Sequence, residues 1–138
     1  MERTNNVAEE KELTPPRYVA TSLVASDFSA LFLDGHYCRM YFLDNAHGRG
    51  AHCPDCGEAI TDERQVARYY SLKKFTCKNC KQTVSAKKGT VLENCSLTPR
   101  QYILLALFLE AGFSDKDIGE KVGIHAETVR LWKGKLNV

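Results

Sequence analysis

Four of the six cysteines of this chain occur in two short pairs, Cys53-Pro54-Asp55-Cys56 and Cys77-Lys78-Asn79-Cys80, with 20 residues between them. This spacing lies at the edge of the range for a four-thiolate zinc site. Each pair can present two thiolates on one tight turn, and two facing turns complete a tetrahedron around the ion. Four protein ligands leave no position for water or substrate, so the ion is expected to stabilise the fold. The pattern predicts one structural Zn²⁺ per chain, bound by Cys53, Cys56, Cys77 and Cys80.

Three other residues near this pattern carry side chains that can bind a metal. His52 adjoins Cys53 but is expected to point away from the metal, and Cys95 has no second cysteine at the required spacing. Cys38 lies in an apolar helical pattern, where a free cysteine behaves as a small buried hydrophobic residue. The sequence leaves open whether His52 or Cys95 substitutes for one of the four cysteines.

Basic residues are concentrated in the part of the chain that carries the cysteine pairs. Residues 1–50 contain 5 basic and 7 acidic side chains, whereas residues 51–138 contain 14 and 10. Between positions 64 and 92 there are eight Lys or Arg residues and no Asp or Glu. A merely solvated face would mix charge signs, so one-sided charge of this length favours a polyanion bound through its phosphates. The eight candidate phosphate contacts are Arg64, Arg68, Lys73, Lys74, Lys78, Lys81, Lys87 and Lys88.

The last third of the chain has the pattern of three helices. Thr98 is a candidate N-cap with Pro99 at the first helical position, and Ser114 is a candidate N-cap for a second helix. Gly123 ends this second helix and permits a tight turn into a third helix that begins near His125. A helix-turn-helix packs apolar residues between its helices. This segment fits that packing with apolar residues at positions 118, 122, 124, 129 and 132 and a glycine at 119.

In a helix-turn-helix the third helix enters the major groove of DNA and its N-terminal residues meet base edges. Arg130 is the best candidate for a bidentate contact to guanine, Glu127 could accept from cytosine, and Ala126 could touch a thymine methyl group. Some helix-turn-helix units instead dock proteins. The residues expected to face outward are His125, Ala126, Glu127, Arg130 and Lys133.

The elements that position these residues divide the chain into four predicted segments. Residues 1–14 are polar and predict a disordered tail, and residues 15–50 predict an N-terminal helical segment. Residues 51–95 predict the zinc ribbon, with a strand at 65–71, Lys73-Lys74 in a hairpin turn and a closing strand at 83–91. Residues 96–138 predict the helix-turn-helix. The expected fold is small α+β: a rubredoxin-like ribbon of β-hairpins around a four-cysteine zinc site, with helical units on both sides.

These residues resemble the N-terminal zinc ribbon of bacterial insertion-sequence transposases. The resemblance is carried by Cys-Pro-Asp-Cys-Gly at 53–57, Phe-Thr-Cys-Lys-Asn-Cys at 75–80, Thr-Val-Ser at 83–85 and Lys-Gly-Thr at 88–90. The helical pattern at 34–48 is similar to the short helix before the first knuckle of that family. The pairing of ribbon and helix-turn-helix is also similar to the small regulatory proteins that simple insertion sequences encode.

The resemblance covers about residue 28 to the end of the sequence. A full transposase has an Asp-Asp-Glu nuclease domain downstream, whereas this sequence ends at Val138. The resemblance therefore implies the DNA-recognition half alone. Scattered histidines and the lack of a glycine-rich phosphate loop after a strand give no catalytic constellation, so we expect no enzyme activity.

The sequence thus predicts a zinc-stabilised DNA-binding protein that acts as a transcriptional regulator or recognises a transposon end. Its expected partners are double-stranded DNA and either a second copy of the chain or a separate transposase or polymerase chain. The N-terminal region has no apolar run suited to a signal peptide or membrane span, so we expect a cytoplasmic, nucleoid-associated bacterial protein. Two alternatives stay open: an adaptor that docks on a polymerase or a phage or host protein, and a nuclease subunit completed by a partner chain.

Overall fold

The structure of the chain is a computed structural model that describes residues 16–138. The predicted tail at 1–14 lies outside the described residues. Across the described part of the chain, no helix combines the length and the apolar character needed to cross a bilayer. The elements are α1 (Thr21–Ser26), a 3₁₀ helix (Ala30–Leu33), α2 (Gly35–His47), α3 (Glu63–Tyr70), β1 (Phe75–Thr76), β2 (Thr83–Val84), α4 (Pro99–Glu110), α5 (Asp115–Val122) and α6 (Ala126–Leu136).

Side-chain caps fix the starts of several helices, and the caps Thr98 and Ser114 lie where the sequence indicated them. The Asp34 carboxylate accepts a hydrogen bond from the first turn of α2, and the Ser114 hydroxyl does the same for α5. Thr98 and Gln101 form a reciprocal capping box at the start of α4. Gly123 ends α5 with a left-handed φ of 89°. Each cap satisfies a backbone group that the helix itself leaves without a partner.

The predicted strand at 65–71 is wrong, because these residues form most of α3 and the turn after it. Asp62 caps this helix through its side chain, and Tyr69 on the inner face of α3 is fully buried. The strand-forming side chains of the segment therefore serve the buried face of a helix. Lys73-Lys74 consequently follow a helix and do not form the predicted hairpin turn.

The sheet is smaller than the sequence predicted. Within residues 16–138 it consists of β1 paired antiparallel with β2, with Phe75 opposite Val84. The predicted closing strand at 83–91 ends at Val84 and continues as turns. Near the end of this stretch, Thr90 forms an isolated parallel bridge with Arg17. This bridge attaches the N-terminal segment to the end of the cysteine-containing region.

One hydrophobic core joins the three predicted segments that the structure describes, and Tyr102 of α4 lies at its centre. Its ring meets Phe42 of α2 and Trp132 of α6 edge-on, with centroids 5.1 and 5.9 Å away. Its hydroxyl donates to the Val19 carbonyl at 2.6 Å and accepts from the Val19 N–H at 3.1 Å. Because Tyr102 is fully buried, these hydrogen bonds satisfy a polar group that water cannot reach. Helices α2 and α6 therefore both pack on α4.

Candidate metal centre and basic surface

The four paired cysteines converge on one point of the structure. Their Sγ atoms all lie within 4.8 Å of one another. The Cys53 and Cys80 sulfurs are 3.8 Å apart, and the Cys56 and Cys77 sulfurs are 3.6 Å apart. A tetrahedron with metal–sulfur bonds of about 2.3 Å has edges of about 3.8 Å. The cluster could therefore hold one metal ion, as the spacing of the pairs predicted.

The two cysteine turns have the same backbone hydrogen bonds. In the first turn the Cys53 N–H donates to the Glu58 carbonyl, and the Cys53 carbonyl accepts from the N–H of Gly57. In the second turn the Cys77 N–H donates to Gln82, and the Cys77 carbonyl accepts from Lys81. Each turn thus closes on itself and presents both sulfurs to one side. This repeated geometry explains how two short segments can supply a four-sulfur site.

The residue after each pair has a left-handed backbone. Gly57 has a φ of 80° and Lys81 has a φ of 66°. Glycine adopts this conformation without steric cost, whereas for a residue with a Cβ atom it costs roughly 1–2 kcal/mol. The first turn therefore uses the residue type that its geometry favours, while the second turn is strained at Lys81.

Asn79 supports the cluster and was not identified from the sequence. Its side-chain amide donates to the Cys56 sulfur at 3.5 Å, and its backbone N–H donates to the Cys77 sulfur at 3.3 Å. The hydrogen bond from the Asn79 side chain is the main reason that the pKa of the Cys56 thiol is lowered to about 6. Thiolate is the form that binds metals, so Asn79 favours the ligating state. The feature of the sequence that could have indicated this role is the position of Asn79 between the two cysteines of the second pair.

The other candidate ligands lie apart from the four-cysteine cluster. The His52 ring uses Nδ1 to bond the Gly50 carbonyl, and Cys95 lies beside the Leu97 N–H. Cys38 is fully buried, and its thiol donates to the Phe32 carbonyl. Neither His52 nor Cys95 belongs to the metal-ligating group found in residues 16–138.

Three of the eight candidate phosphate contacts line one cleft beside the hairpin. Lys74, Lys87 and Lys88 border this space of about 590 Å³, together with serine and threonine side chains and Glu93. The Lys87 ammonium donates to the Cys95 carbonyl at 3.0 Å. We call this space the lysine cleft. It gathers positive charge and hydroxyl groups on one surface.

The lysine cleft is tied to the cysteine cluster through Lys88, whereas Lys78 lines a different cleft. The Lys88 ammonium lies 2.5 Å from the carboxylate of Asp55, inside the first cysteine pair. Lys78 instead lines a cleft of about 320 Å³ with Glu58 and Asp62. The acidic neighbours of Lys78 make its surroundings less favourable for an anion. The eight cations are therefore not equivalent, although seven are exposed and only Lys87 is half-buried.

The last turn of α6 adjoins the lysine cleft. A third cleft of about 420 Å³ is lined by Thr90, Glu93 and Asn94 together with Lys135 and Asn137. Glu93 and Asn94 also line the lysine cleft. The lysine cleft and this cleft at the end of α6 therefore form neighbouring parts of one surface. This surface runs from the hairpin to the C-terminal end of α6.

The predicted base-reading residues lie along α6, and some of them form ion pairs. His125, Glu127 and Arg130 are exposed, while Ala126 and Lys133 are half-buried. Arg130 lies 3.5 Å from Glu127. Asp115 at the start of α5 lies 3.7 Å from Arg130 and 2.8 Å from Lys133. Asp115 was not predicted from the sequence, because its partners lie 15 and 18 positions further along the chain.

The close approach of α5 and α6 depends on Gly119. A Cβ atom at this position would lie 2.6 Å from the Ile124 carbonyl oxygen and 3.3 Å from the Ala126 nitrogen. The Gly119 carbonyl also accepts hydrogen bonds from the N–H groups of Gly123 and Ile124, so the turn is fixed by the same residue. Glycine is therefore required for the packing, because a side chain at this position would collide with the backbone of the turn.

Comparisons of the chain with protein-family models, with curated proteins and with solved structures gave no match. Its function must therefore be inferred from the residues and the geometry described above.

Proposed function

We propose that this chain is a zinc-stabilised protein that binds double-stranded DNA, as a transcriptional regulator or a transposon-end recognition module of insertion-sequence type. The zinc ribbon contacts phosphates, and α5 and α6 act as a helix-turn-helix. The observation that carries the proposal is the adjacency of the lysine cleft to the last turn of α6. A duplex that meets α6 in its major groove can then place its backbone against the ribbon.

Zinc is the metal that the donor set favours. Four thiolates in a tetrahedral arrangement suit zinc or iron–sulfur chemistry, and hard cations prefer oxygen ligands. The sulfur separations of 3.6 and 3.8 Å fit a single ion bound by Cys53, Cys56, Cys77 and Cys80. A zinc ion there supplies folding energy, because all four coordination positions are taken by protein.

The lysine cleft is the part of the ribbon best suited to phosphate. Lysine ammonium groups neutralise phosphate charge and release condensed counterions, and hydroxyl groups can donate further hydrogen bonds. Three lysines border the cleft. If each neutralises one phosphate, they contribute up to about 2.7 to the slope of log affinity against log salt, and less if Lys88 stays paired with Asp55. Contacts of this kind position the protein on DNA without selecting a sequence.

The exposed face of α6 supplies base recognition. Arg130 presents a guanidinium to a guanine edge, with Glu127 and Ala126 beside it for cytosine and thymine. The Asp115 and Glu127 carboxylates lie 3.7 and 3.5 Å from the Arg130 guanidinium. Because Arg130 is 62% exposed and Glu127 is 84% exposed, these ion pairs are weak and can open when Arg130 meets a base edge.

One observation favours the adaptor as a second candidate. Helix α5 carries Asp115 and Asp117 in its first turn, where a helix-turn-helix lies across the DNA backbone. These carboxylates repel phosphate. If the chain binds DNA, the contacts to the DNA backbone therefore come from the ribbon rather than from α5. Loss of the ribbon contacts should then weaken DNA binding strongly.

Substitution of the cleft lysines tests the proposal. The triple variant Lys74→Ala, Lys87→Ala and Lys88→Ala should bind duplex DNA more weakly, with a salt slope lower by up to about 2.7. Lys78→Ala is the matched control, because Lys78 lies in a separate cleft with two acidic residues. Zinc content and thermal unfolding of each variant establish that the fold is retained. Equal binding by the wild type and the folded triple variant would refute the role of the cleft.

A further inference from the structure

Three large apolar side chains protrude from the segment between α1 and α2. Phe28 is 64% exposed, Leu31 is 56% exposed and Leu33 is 81% exposed, whereas Phe32 between them is buried. We call these three exposed residues the apolar knob. Leu31 and Leu33 lie on the 3₁₀ helix, which buries Phe32 between them and is capped by Ser29, and the Phe28 ring lies 6.3 Å from the Phe32 ring. The knob is thus a defined feature of the fold.

Charges of both signs surround the apolar knob. Asp34 follows Leu33 directly, and the Arg100 guanidinium donates to the Leu33 carbonyl at 2.6 Å. Arg39 lies close by, since its guanidinium is 3.6 Å from the position of a Cβ atom on Gly35. On the Phe28 side, Asp27 accepts a hydrogen bond from Tyr41. The rim therefore carries two carboxylates and two guanidinium groups.

We propose that the apolar knob is the contact surface of a symmetric homodimer of this chain. A two-fold interface places the same patch on both subunits, so the patch must be complementary to itself. An apolar centre meets this condition without further requirement. A rim with acidic and basic groups also meets it, because Asp34 of one copy can face a guanidinium of the other copy.

The mixed rim favours a second copy over the other occupants of an apolar patch. Membrane-surface segments place mainly Lys and Arg around their apolar residues, and Asp27 and Asp34 would be repelled by anionic lipids. Exposed apolar patches that are rimmed by polar residues mark protein interfaces more often than plain surface. The three apolar residues belong to the N-terminal segment, and neither they nor the charged rim are among the proposed DNA contacts. Dimerisation and DNA binding can therefore succeed or fail separately.

The size of the knob predicts a weak dimer. Its three side chains each leave on the order of 100 Å² of apolar surface in water, or roughly 300 Å² per copy. Two copies together bury roughly 600 Å² from the knob, and the rim must add the remainder of the ~1,000 Å² that a specific interface needs. Such a small interface is expected to have a dissociation constant of roughly micromolar or weaker.

Sedimentation equilibrium of the full chain between about 1 µM and 1 mM, the range expected for a weak interface, tests this inference. The apparent mass should rise from 15.5 kDa towards twice that value. Leu33→Asp should remain monomeric throughout, because it places a carboxylate in the patch of each copy. Leu33 is 81% exposed, so this change should leave the fold intact. Leu131→Asp is the matched control, since Leu131 is 68% exposed on α6 and should leave the self-association unchanged.

The experiment is run at high salt and after nuclease treatment, which removes association through contaminating nucleic acid. Apolar association should persist under these conditions. A mass of 15.5 kDa at every concentration would overturn the proposal. It would be overturned equally by self-association that Leu33→Asp leaves intact or that Leu131→Asp abolishes. None of these outcomes depends on whether the chain binds DNA.

Discussion

Replacement of Gly119 by alanine should destabilise the packing of α5 against α6. The added methyl group would lie 2.6 Å from the Ile124 carbonyl oxygen, well inside van der Waals contact. This oxygen belongs to the backbone of a turn whose N–H groups bond the Gly119 carbonyl, so it cannot move independently. The two helices must therefore separate or the turn must distort.

Two opposing effects set the size of this change. Overpacking of a close backbone contact costs about 1–3 kcal/mol, and more when the surroundings are rigid. Alanine in place of glycine within a helix stabilises the folded chain by about 1 kcal/mol. Because the contact is with backbone on both sides, we take the upper part of the overpacking range. The net loss in the free energy of unfolding is then about 2 kcal/mol.

Gly134→Ala is the control that isolates the clash. Gly134 is also helical, but a Cβ atom added there would have no neighbour within 4 Å outside its own helix. This variant should gain up to about 1 kcal/mol. Urea denaturation followed by the fluorescence of Trp132 measures both, since Trp132 is the single tryptophan and is buried. Equal stability of the two variants would refute the packing assigned to Gly119.

Three further predictions concern the metal, a half-buried histidine and base recognition. Cys77→Ser, or a strong chelator, should unfold the proposed zinc ribbon, because zinc binding in small sites contributes roughly 10 kcal/mol or more, as circular dichroism and zinc release can show. Burial lowers the pKa of His47, whose ring bonds Arg17 and the Ala86 carbonyl. The free energy of unfolding should therefore be highest above about pH 6.5, the ordinary pKa of histidine in the unfolded chain, and should fall as the pH drops towards the lower pKa of the folded state. Urea unfolding of wild type and His47→Gln at about pH 7.5 and 5.5 should show a smaller pH effect in the variant. Arg130→Ala should lower discrimination between selected and mixed-sequence duplexes by about 1–3 kcal/mol, whereas Lys116→Ala should leave this ratio unchanged.

Features that depend on nearby residues were predictable from the sequence. The spacing within and between the cysteine pairs predicted the four-sulfur cluster that the structure brings together. Thr98 and Ser114 were predicted as caps because a cap bonds a backbone group within three residues. Gly123 was predicted to end a helix because its left-handed conformation favours glycine. Both partners of each cap lie within three positions of each other, and so do the two cysteines of each pair.

Features that depend on competing or distant interactions were not predictable in the same way. The side chains at 66, 69 and 70 favour a strand, whereas the cap at Asp62 favours a helix. The segment forms the helix α3. The Tyr102 hydroxyl bonds the Val19 backbone across 83 positions of sequence. No local pattern indicates such a contact. The lysine cleft was likewise not predictable, because the run of cations does not show which of them share a surface.

Duplex binding by the zinc-loaded chain, measured as a function of salt concentration, tests the proposed function most directly. Fluorescence anisotropy with a duplex selected from random sequence, and with a mixed-sequence duplex, gives both affinity and selectivity. If each cleft lysine neutralises one phosphate, affinity should fall at least about fortyfold between roughly 50 and 200 mM salt. The selected duplex should bind more tightly at every salt concentration. Binding that is absent, or that stays flat across this range, would contradict the account and favour the adaptor.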